Sequence, residues 1–409
     1  MKILEAFQGT DVSRADALEG LKFYGSAARA IDGEDSNDAV HMLFPEKLEA
    51  AAHEFLTGFR GASLYAVKAN PHPAVLKLLW RAGVRRFDVA SLREVELVSD
   101  LLPGAELYFM HPVKSRQAIR FAYGRGVRAF SFDSMDELNK IEAETGGASD
   151  ISLFLRLQVE GGGAAYALGG KFGATLMEAP LLLSRARRMA QKIGVCFHVG
   201  SQCMQPGAYR EALVKVSAML QGAGISLDVI DVGGGFPVPY PGMEPPAMQV
   251  YFDAIHTALD DCGFADTETL CEPGRALVAK AGAVAVRVEM RRGDDLYLND
   301  GTYGALFDAG VPGWQFPMAV HTADGRKLAL GQTGFRFFGP TCDSCDKMEG
   351  PFFLPDDIEE GDWIVIQHLG AYGFTMQTRF NGFYSEDLVA VEDIAASNGT
   401  VMFPVPIAV

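Results

Sequence analysis

The stretch that decides the fold is residues 63–91, where SLYAVKAN (63–70) is followed by PAVLKLLWRAG (73–83) and RRFDVAS (85–91). The first and third pieces are short apolar runs bounded by polar residues, which is typical of strands. The middle piece starts at Pro, ends at Gly and spaces its apolar residues as a helix does. A strand, a helix and a strand in this order predict two parallel strands joined by a right-handed crossover.

The same unit continues along the chain. Helical segments such as SLREVELVSDLL (91–102) and AYREALVKVSAMLQGAG (208–224) separate six further strand-like runs. These runs are ELYFMHP (106–112), RAFSFDS (128–134), SLFLRLQ (152–158), VCFHVGS (195–201), LDVIDVGGG (227–235) and TLCEPGR (269–275). Eight strands that alternate with helices predict a (β/α)₈ barrel, which would cover residues 41–282.

The pattern changes after the eighth strand. From AVAVRVEMRRGDDLYLND (283–300) onward, strand-like runs are separated by GD, DG, GP and PG turns, with little helical periodicity. The pattern of residues 283–409 therefore predicts an all-β domain. Residues 1–40 fit neither pattern and are expected to form an N-terminal arm that joins the β domain. The predicted fold class is α/β, a TIM-type barrel with a second all-β domain.

Composition excludes several classes of protein. The 409 residues are 48% apolar and 22% charged, which argues against disorder. With 36 basic and 52 acidic side chains the net charge is −16, so neither nucleic acid nor an anionic membrane is expected as a partner. No apolar run reaches the roughly 18 residues of a membrane span, and the N-terminal apolar stretch is too short for a secretory signal. We expect a cytoplasmic protein, and six scattered cysteines do not suggest a disulfide framework.

Polar residues follow the predicted barrel strands where an active site is expected. In barrels of this kind the chemistry lies at the C-terminal ends of the strands. The residues found there are Lys68, Asp88, Ser91, His111, Asp133, Arg156, His198, Ser201, Gly233, Gly234, Gly235, Glu272 and Arg275.

Several of these residues have an ordinary interpretation beside a functional one. Lys68 could be a desolvated amine that forms a Schiff base, or a lysine that extends from a strand end into solvent. Gly233–Gly235 could close backbone N–H groups around a phosphate, or form only a tight turn. His198 could stack on a ring or be a satisfied core histidine, and Glu272 with Arg275 could be a local ion pair. Together, a reactive lysine, a phosphate cradle, a stacking imidazole and a carboxylate for a pyridinium proton are what pyridoxal 5′-phosphate requires, so we predict that cofactor.

Eight short motifs then occur in one order along the chain. They are YAVKAN (65–70), FDVAS (87–91), FHVGSQ (197–202), DVGGGFP (231–237), CEPGR (271–275), NDGTYG (299–304), GPTCDSCD (339–346) and GAYGF (370–374), the last followed by FNGF (380–383). In this order they resemble the fold-type III, alanine-racemase-like decarboxylases, which include ornithine, lysine, diaminopimelate and carboxynorspermidine decarboxylases, and are most similar to the ornithine decarboxylase branch. Residues 1–40 lie outside the resemblance.

The resemblance implies a role for each polar residue. Lys68 would hold the cofactor as a Schiff base, His198 would stack on its ring, and Glu272 would keep the ring nitrogen protonated as an electron sink. The phosphate would be held by Ser201, Gly233, Gly234, Gly235, Arg275 and Tyr372, and Gly274 would be a further cofactor-binding residue. Support behind the lysine and the ring would come from Asp88, Glu94 and Arg156.

The pair Cys342 and Cys345 needs separate interpretation. A CxxC spacing is generic for redox chemistry or for half a zinc site, but the chain has no second pair of suitable spacing, so no metal is expected. The resemblance instead implies that Cys342 lies at the active site of a partner subunit and returns a proton to Cα after CO₂ leaves. It assigns no role to Cys345.

The implied reaction is the decarboxylation of a basic L-amino acid to a diamine, with ornithine or lysine as the expected substrate. Asp343, directly after Cys342, suits a distal ammonium, and Asp308 in ALFDAGVPGW (305–314) is offered as a second acid. Tyr303 of NDGTYG and Phe380 of FNGF are further candidates for substrate contact. Because residues 305–314 depart from the ornithine decarboxylase pattern, a modified or carboxyalkylated diamino acid, similar to diaminopimelate or carboxynorspermidine, is the alternative.

The resemblance also implies a head-to-tail homodimer with two shared active sites. Lys171 of KFG and Asp346 match positions that pair across the subunits of relatives. Two other functions are possible on the same barrel, an amino-acid racemase and a non-catalytic regulator. The racemase would lack the GPTCDSCD and FNGF motifs, and the regulator would be expected to have lost cofactor residues that are present here.

Overall fold

The computed structural model describes residues 12–34, 37–159, 163–166, 170–393 and 401–403. The chain forms two compact units. The first, called the barrel unit here, contains the chain up to Ala17, Ala52–Pro237 and Pro245–Gly274. The second, called the sheet unit, contains Leu18–Ala51, Val238–Glu244 and the chain from Arg275 onward. The division after Gly274 lies before the boundary expected at residue 282, because the short helix that starts at Arg275 belongs to the sheet unit.

The described residues contain twenty strands and thirteen α-helices. The strands are β1 (Phe23–Ser26), β2 (Val40–Leu43), β3 (Ala62–Ala66), β4 (Arg86–Val89), β5 (Glu106–Phe109), β6 (Ala129–Phe132), β7 (Ser152–Arg156), β8 (Ala164–Tyr166), β9 (Lys192–Cys196), β10 (Ser201–Cys203), β11 (Val229–Asp231), β12 (Glu268–Cys271), β13 (Gly282–Arg292), β14 (Asp295–Leu298), β15 (Met318–His321), β16 (Gln332–Phe338), β17 (Lys347–Pro355), β18 (Trp363–Gln367), β19 (Leu388–Asp393) and β20 (Val401–Phe403). The helices are α1 (Arg14–Ala17), α2 (Ala27–Gly33), α3 (Pro45–Gly58), α4 (Pro73–Arg81), α5 (Leu92–Leu101), α6 (Arg116–Gly124), α7 (Met135–Glu144), α8 (Ala179–Arg187), α9 (Gly207–Ala223), α10 (Met248–Asp261), α11 (Arg275–Val278), α12 (Phe307–Gly310) and α13 (Gly373–Met376). Among the described helices, none combines the length and apolar character that crossing a bilayer requires.

The barrel unit is built around a closed parallel barrel. Its strands follow the ring order β3, β4, β5, β6, β7, β9, β11, β12, and they are the eight that the sequence predicts. Helices α5, α6 and α7 are capped by the serines that precede them, Ser91, Ser115 and Ser134, whose hydroxyls accept the N–H of the third residue that follows. The expected barrel is therefore confirmed, and these three helices start where serine capping predicts.

The register of the barrel decides which side chains face its interior. Side chains alternate along a strand, and residues paired between parallel strands point to the same face. Interior positions pack in one apolar cluster that includes Leu64, Met110, Phe154, Val229 and Leu270. Two residues further along several strands, the interior positions become polar. The barrel thus has an apolar floor beneath a polar mouth at the C-terminal ends of its strands.

The sheet unit contains a sheet of ten described strands. Its main path is β1, β19, β2, β13, β14, β16, β17, while β18 pairs with β13 and β15, and β20 pairs with β15. Strand β1 runs parallel to β19, with Phe23 opposite Ala390, so described residues of the expected arm contribute a strand to this sheet. Met42, Ala285 and Val365 lie in its apolar core. The expected second, mostly β domain is confirmed.

Candidate active site

Lys68 and Asp88 form the central ion pair of the barrel mouth. Lys68 lies in a turn directly after β3, and its Nζ is 3.3 Å from Oδ2 of Asp88. Asp88 is buried, whereas the lysine side chain is 46% exposed. Because Asp88 pairs in register with Ala66, its carboxylate points into the barrel. The Lys68 amine is therefore accessible to a ligand, while the Asp88 carboxylate that contacts it is shielded from water.

Glu272 lies on the neighbouring side of the mouth beside an acid that sequence reasoning missed. Glu272 and Asp231 are 3% and 0% exposed, and each has one carboxylate oxygen without a hydrogen-bond partner, Oε1 and Oδ2 respectively. The other oxygen of Asp231 accepts the N–H of Gly233 at 2.8 Å. Burial, together with the nearby charges of Asp231 and Asp88, raises the pKa of Glu272 well above its usual range, and burial raises the pKa of Asp231 to about 7.

Glu94 supports the mouth from the first turn of α5. Its Oε2 accepts the N–H of Ala90 at 2.6 Å, and burial, with Asp88 nearby, raises its pKa to about 7. Ser91, which the sequence places at this strand end, caps α5 by accepting the N–H of Glu94 at 3.2 Å. Ser91 therefore holds the helix rather than facing a ligand.

His198 has a fixed tautomer. Its Nδ1 accepts the N–H of Gly200 at 3.0 Å, so the proton of the neutral ring is on Nε2. Burial, with the cations Arg156 and Lys68, lowers the pKa of His198 well below its usual range. A neutral flat ring of this kind can stack on a ligand without adding charge to the site.

The loop Gly233–Gly235 has no room for side chains. Gly233 and Gly235 have φ values of 72° and 101°, in the left-handed region. A Cβ at Gly233 would lie 1.8 Å from the carbonyl oxygen of Phe197, and one at Gly234 would lie 2.7 Å from that of Glu272. The backbone here therefore packs as closely as a phosphate-binding loop requires. Ser201 follows on β10, which pairs with β8.

Arg275 is the buried cation of the sheet unit. Its Nη1 lies 2.8 Å from Oδ2 of Asp308 and donates to the hydroxyl of Tyr240 at 3.1 Å. The guanidinium carbon is 4.6 Å from the ring centre of Trp314 and 4.8 Å from that of Tyr372. Its Nε is buried without a hydrogen-bond partner, so this N–H is available to donate to a bound anion. Asp308, proposed from the sequence as a substrate ligand, is engaged by this arginine.

The remaining candidates of the sheet unit lie in one cluster. The hydroxyl of Tyr303 donates to Asp343 at 2.8 Å, and the rings of Tyr303 and Phe380 are 5.2 Å apart. The Cys342 thiol donates to Oδ1 of Asn381 at 3.3 Å, a contact that sequence reasoning did not identify. The N–H of Cys345 and the Tyr303 hydroxyl lower the pKa of Asp343, so this carboxylate is an anion at neutral pH.

Three further polar residues have structural partners. Asp346 is 3% exposed and accepts the N–H groups of Thr302 and Thr341 at 2.8 and 3.0 Å. Asp133 accepts the N–H of Gly173 at 3.0 Å. Lys114, which the sequence did not single out, is buried and donates to the carbonyl of His111 at 2.9 Å. The contacts of Asp133 and Lys114 hold loops of the barrel unit, and those of Asp346 hold loops of the sheet unit. The cross-subunit pairing of Asp346 with Lys171 stays a prediction.

A cavity of about 390 Å³ opens at the N-terminal ends of the barrel strands, opposite the polar mouth. It is not the candidate active site. Its charged lining residues are engaged in surface ion pairs, such as Arg125 with Asp100 and Lys192 with Glu268. It lacks the buried, unpartnered groups that mark the C-terminal mouth.

A parallel barrel with a reachable lysine, buried acids and a glycine cradle at its mouth defines the class of pyridoxal-phosphate enzymes built on this fold. A family model described as pyridoxal-dependent decarboxylase, pyridoxal binding domain, matches residues 43–279. The chain belongs to this family, in its ornithine/lysine decarboxylase branch, and is a pyridoxal-phosphate-dependent amino-acid decarboxylase.

Known proteins support this membership. The lysine/ornithine decarboxylase of Selenomonas ruminantium is 33% identical over 343 residues, covering 82% of this chain and 84% of that protein. A crystal structure of an SrLDC mutant with PLP has a TM-score of 0.78 and 30% identity, covering 90% of this chain and 94% of the other. The Vibrio vulnificus lysine/ornithine decarboxylase complexed with cadaverine has a TM-score of 0.76 and 28% identity, covering 89% and 96%.

The residues present fit the cofactor. Glu272 offers a buried oxygen without a partner, as a ring nitrogen requires, and Arg275 offers a buried N–H without one, as a phosphate requires. The loop Gly233–Gly235 packs against neighbouring backbone too closely for any Cβ, so its N–H groups are not shielded by side chains of its own. These features are independent of the family assignment and agree with it.

Proposed function

We propose that this enzyme removes CO₂ from ornithine or lysine to form the corresponding diamine. The observation that carries the proposal is the pairing of the reachable Lys68 amine with the buried carboxylate of Asp88, beside the buried acid Glu272. A basic amino acid adds a cationic distal group, for which the anionic Asp343 is the candidate partner.

In this proposal each group of the barrel unit has one task. Lys68 carries the cofactor, and Asp88 holds the amine in place and receives hydrogen bonds from it. His198 packs against the cofactor ring, while Glu272 accepts a hydrogen bond from the ring nitrogen. When bound, the cofactor takes up the electron pair that CO₂ leaves on Cα. Electrostatic stabilisation by preorganised groups then supplies much of the rate.

The phosphate is assigned to N–H and O–H donors. The backbone N–H groups of Gly233–Gly235 and the hydroxyl of Ser201 are the donors of the barrel unit. Arg275 and Tyr372 are the donors of the sheet unit, where the two side chains already lie against each other. The unpartnered Nε of Arg275 supports this assignment.

Cys342 is the proposed proton donor to Cα. Its thiol is exposed and donates to the amide oxygen of Asn381 at 3.3 Å, and this contact fixes the orientation of the Cys342 side chain. Asp343, Tyr303 and Phe380 lie in the same cluster and are proposed to meet the substrate's distal end. The cadaverine complex of the Vibrio vulnificus relative supports a distal ammonium.

We also propose a homodimer with shared active sites, in which Cys342 and Asp343 serve the partner. Mixing Lys68→Ala protomers with Cys342→Ala protomers should recover about a quarter of wild-type activity, since half of randomly mixed dimers are hybrids with one intact site. No recovery, with hybrid dimers shown by two affinity tags, would exclude shared sites.

A modified diamino acid is the second candidate substrate. It is favoured by the ion pair of Asp308 with Arg275, because Asp308 is then not free to bind a distal ammonium. The deciding experiment is CO₂ release from ornithine, lysine, arginine, diaminopimelate, diaminobutyrate and carboxynorspermidine. Release from ornithine or lysine supports the first proposal, and release from diaminopimelate or carboxynorspermidine alone supports the second.

Visible absorbance provides the cofactor test. The purified protein should show a yellow band that borohydride removes and that the Lys68→Ala variant lacks. A protein that stays colourless after incubation with pyridoxal phosphate would contradict the assignment of Lys68.

A further inference from the structure

We propose that Asp231 and Glu272 share one proton in the cofactor-free protein, and that Asp231 is the positioning residue that sets the protonation of Glu272. The inference deepens the proposed function, because it rests on Glu272 facing the cofactor ring. It concerns a residue to which the sequence motifs gave no role, although it begins the DVGGGFP segment.

The strand register brings the two carboxylates together. Asp231 ends β11 and is opposite Leu270 on β12, and Glu272 comes two residues after Leu270. Side chains two apart on a strand share a face, so both acids point into the barrel. Asp231 is completely buried and Glu272 is 3% exposed.

The hydrogen bonds of the pair are incomplete in a specific way. One oxygen of Asp231 accepts the Gly233 N–H, while its Oδ2 and the Oε1 of Glu272 have no partner. Two buried carboxylates side by side repel each other, and a carboxylate removed from water without a partner is costly. A single proton between them removes one charge and supplies the donor that the pair lacks.

The charges around the pair favour retention of that proton. The charges that act on the pair are those of the acid Asp88 and of the cations Lys68 and Arg156. Glu94, whose own pKa is about 7, faces Asp88 and Lys68. His198 is held neutral, and the thiols Cys196 and Cys271 are buried and protonated, as is the Tyr108 hydroxyl on the floor below. With both acids of the pair ionised, Asp88, Asp231 and Glu272 would carry three negative charges against the two positive charges of Lys68 and Arg156, and one proton on the pair removes this excess.

The shared proton has a functional consequence. A ring nitrogen that carries a proton needs a carboxylate as its acceptor, so the proton of the pair must then reside on Asp231. From there the Asp231 O–H donates to Glu272 and holds the carboxylate toward the ring. Asp231→Asn imitates this state, because its amide donates where the protonated acid would while its oxygen still accepts the Gly233 N–H.

The test uses cofactor-free protein with ¹³C-labelled aspartate and infrared difference spectra against pH. Protonated carboxyl groups absorb apart from carboxylates. Two buried aspartates are expected to titrate unusually high, Asp231 near its pKa of about 7 and Asp300 near its pKa of about 6. The Asp300→Asn variant is the matched control, because Asp300 also accepts backbone N–H groups but lies in the sheet unit.

We expect the protonated band that titrates near the higher pH to survive in Asp300→Asn and to disappear in Asp231→Asn. Its presence in Asp231→Asn, or its absence from the wild type, would overturn the proposal. If Asp231→Asn does not fold, a band near the higher pH that Asp300→Asn leaves unchanged still supports the proposal, and its absence from the wild type overturns it. Failure of the proposed function is distinguishable, since the yellow band would then be missing while this titration, made without cofactor, would be unaffected.

Discussion

Arg275 and Asp308 form a buried ion pair in the sheet unit, with Nη1 of the arginine 2.8 Å from Oδ2 of the aspartate. The two side chains are 7% and 11% exposed, and the rings of Trp314 and Tyr372 lie against the guanidinium. An arginine held in this way has few orientations, and its free Nε is directed by the same contacts. We therefore expect the pair to prepare an anion site, as the proposed phosphate role of Arg275 requires, rather than a site for a substrate amine.

Asp308→Ala is expected to lower the free energy of unfolding by about 3 kcal/mol, because it leaves Arg275 as a buried charge without its counterion. Denaturant unfolding of the cofactor-free protein measures this. Asp308→Asn, which keeps an acceptor for Nη1, is the control and should lose clearly less. If Asp308→Ala were as stable as wild type and instead raised KM for ornithine or lysine alone, Asp308 would be a substrate ligand.

Replacement of Lys68 by alanine should lower kcat by at least about a thousand-fold, since the amine that attaches the cofactor is lost. The measurement is CO₂ release under saturating pyridoxal phosphate, together with the visible spectrum. Lys77→Ala is the matched control, because Lys77 lies on the following helix, where it donates to the carbonyl of Asp16. Equal losses in both variants would indicate general damage rather than loss of the attaching amine.

The alternation of strands and helices was sufficient to predict the barrel, because each strand is a separate apolar run and several helices begin at a capping serine. Lys68, Glu272 and the glycines could be identified because each lies at a strand end or in a motif. Asp231 could not be identified in this way, because a single acid before a run of glycines indicates no role by itself. Only the strand register shows that it lies beside Glu272. Asn381 was missed for a similar reason, because its contact with Cys342 joins residues far apart in sequence.

Gly233→Ala is expected to abolish cofactor binding. The new Cβ would lie 1.8 Å from the carbonyl oxygen of Phe197, and a φ of 72° is strained for alanine, so the loop must shift. Fluorescence titration with pyridoxal phosphate measures the loss. Gly222→Ala is the control, because this helical glycine has open space around its Cβ position and should gain up to about 1 kcal/mol of stability. If Gly233→Ala bound pyridoxal phosphate with wild-type affinity, the loop Gly233–Gly235 would not be part of the phosphate site.

The stability of the cofactor-free protein should depend on Glu94 in a defined pH window. Its folded-state pKa of about 7 lies above the ordinary value of 4.5, so the folded protein binds more protons than the unfolded chain between these values. The contribution of Glu94 to stability therefore falls as pH rises from about 4.5 to 7. Glu94→Gln keeps an acceptor for the Ala90 N–H and lacks this loss, so it should gain on wild type across the window, by roughly 3 kcal/mol at most. Thermal unfolding at several pH values measures the difference, and parallel curves would show that Glu94 does not titrate there.

Asp343→Asn should raise KM for ornithine or lysine by about ten-fold or more while changing kcat less, because the charge-assisted contact with the distal ammonium is lost. The carboxylate is kept ionised by the Cys345 N–H and the Tyr303 hydroxyl, so the wild-type contact should persist throughout the neutral pH range. Tyr303→Phe removes one of these donors and leaves the carboxylate, so a smaller rise is expected. Steady-state CO₂ release over a substrate series gives both constants. A fall in kcat with KM unchanged would indicate that Asp343 acts near the bond that breaks and does not bind the distal amine. The choice between ornithine or lysine and a modified diamino acid would then depend on the CO₂ release from the substrate panel alone.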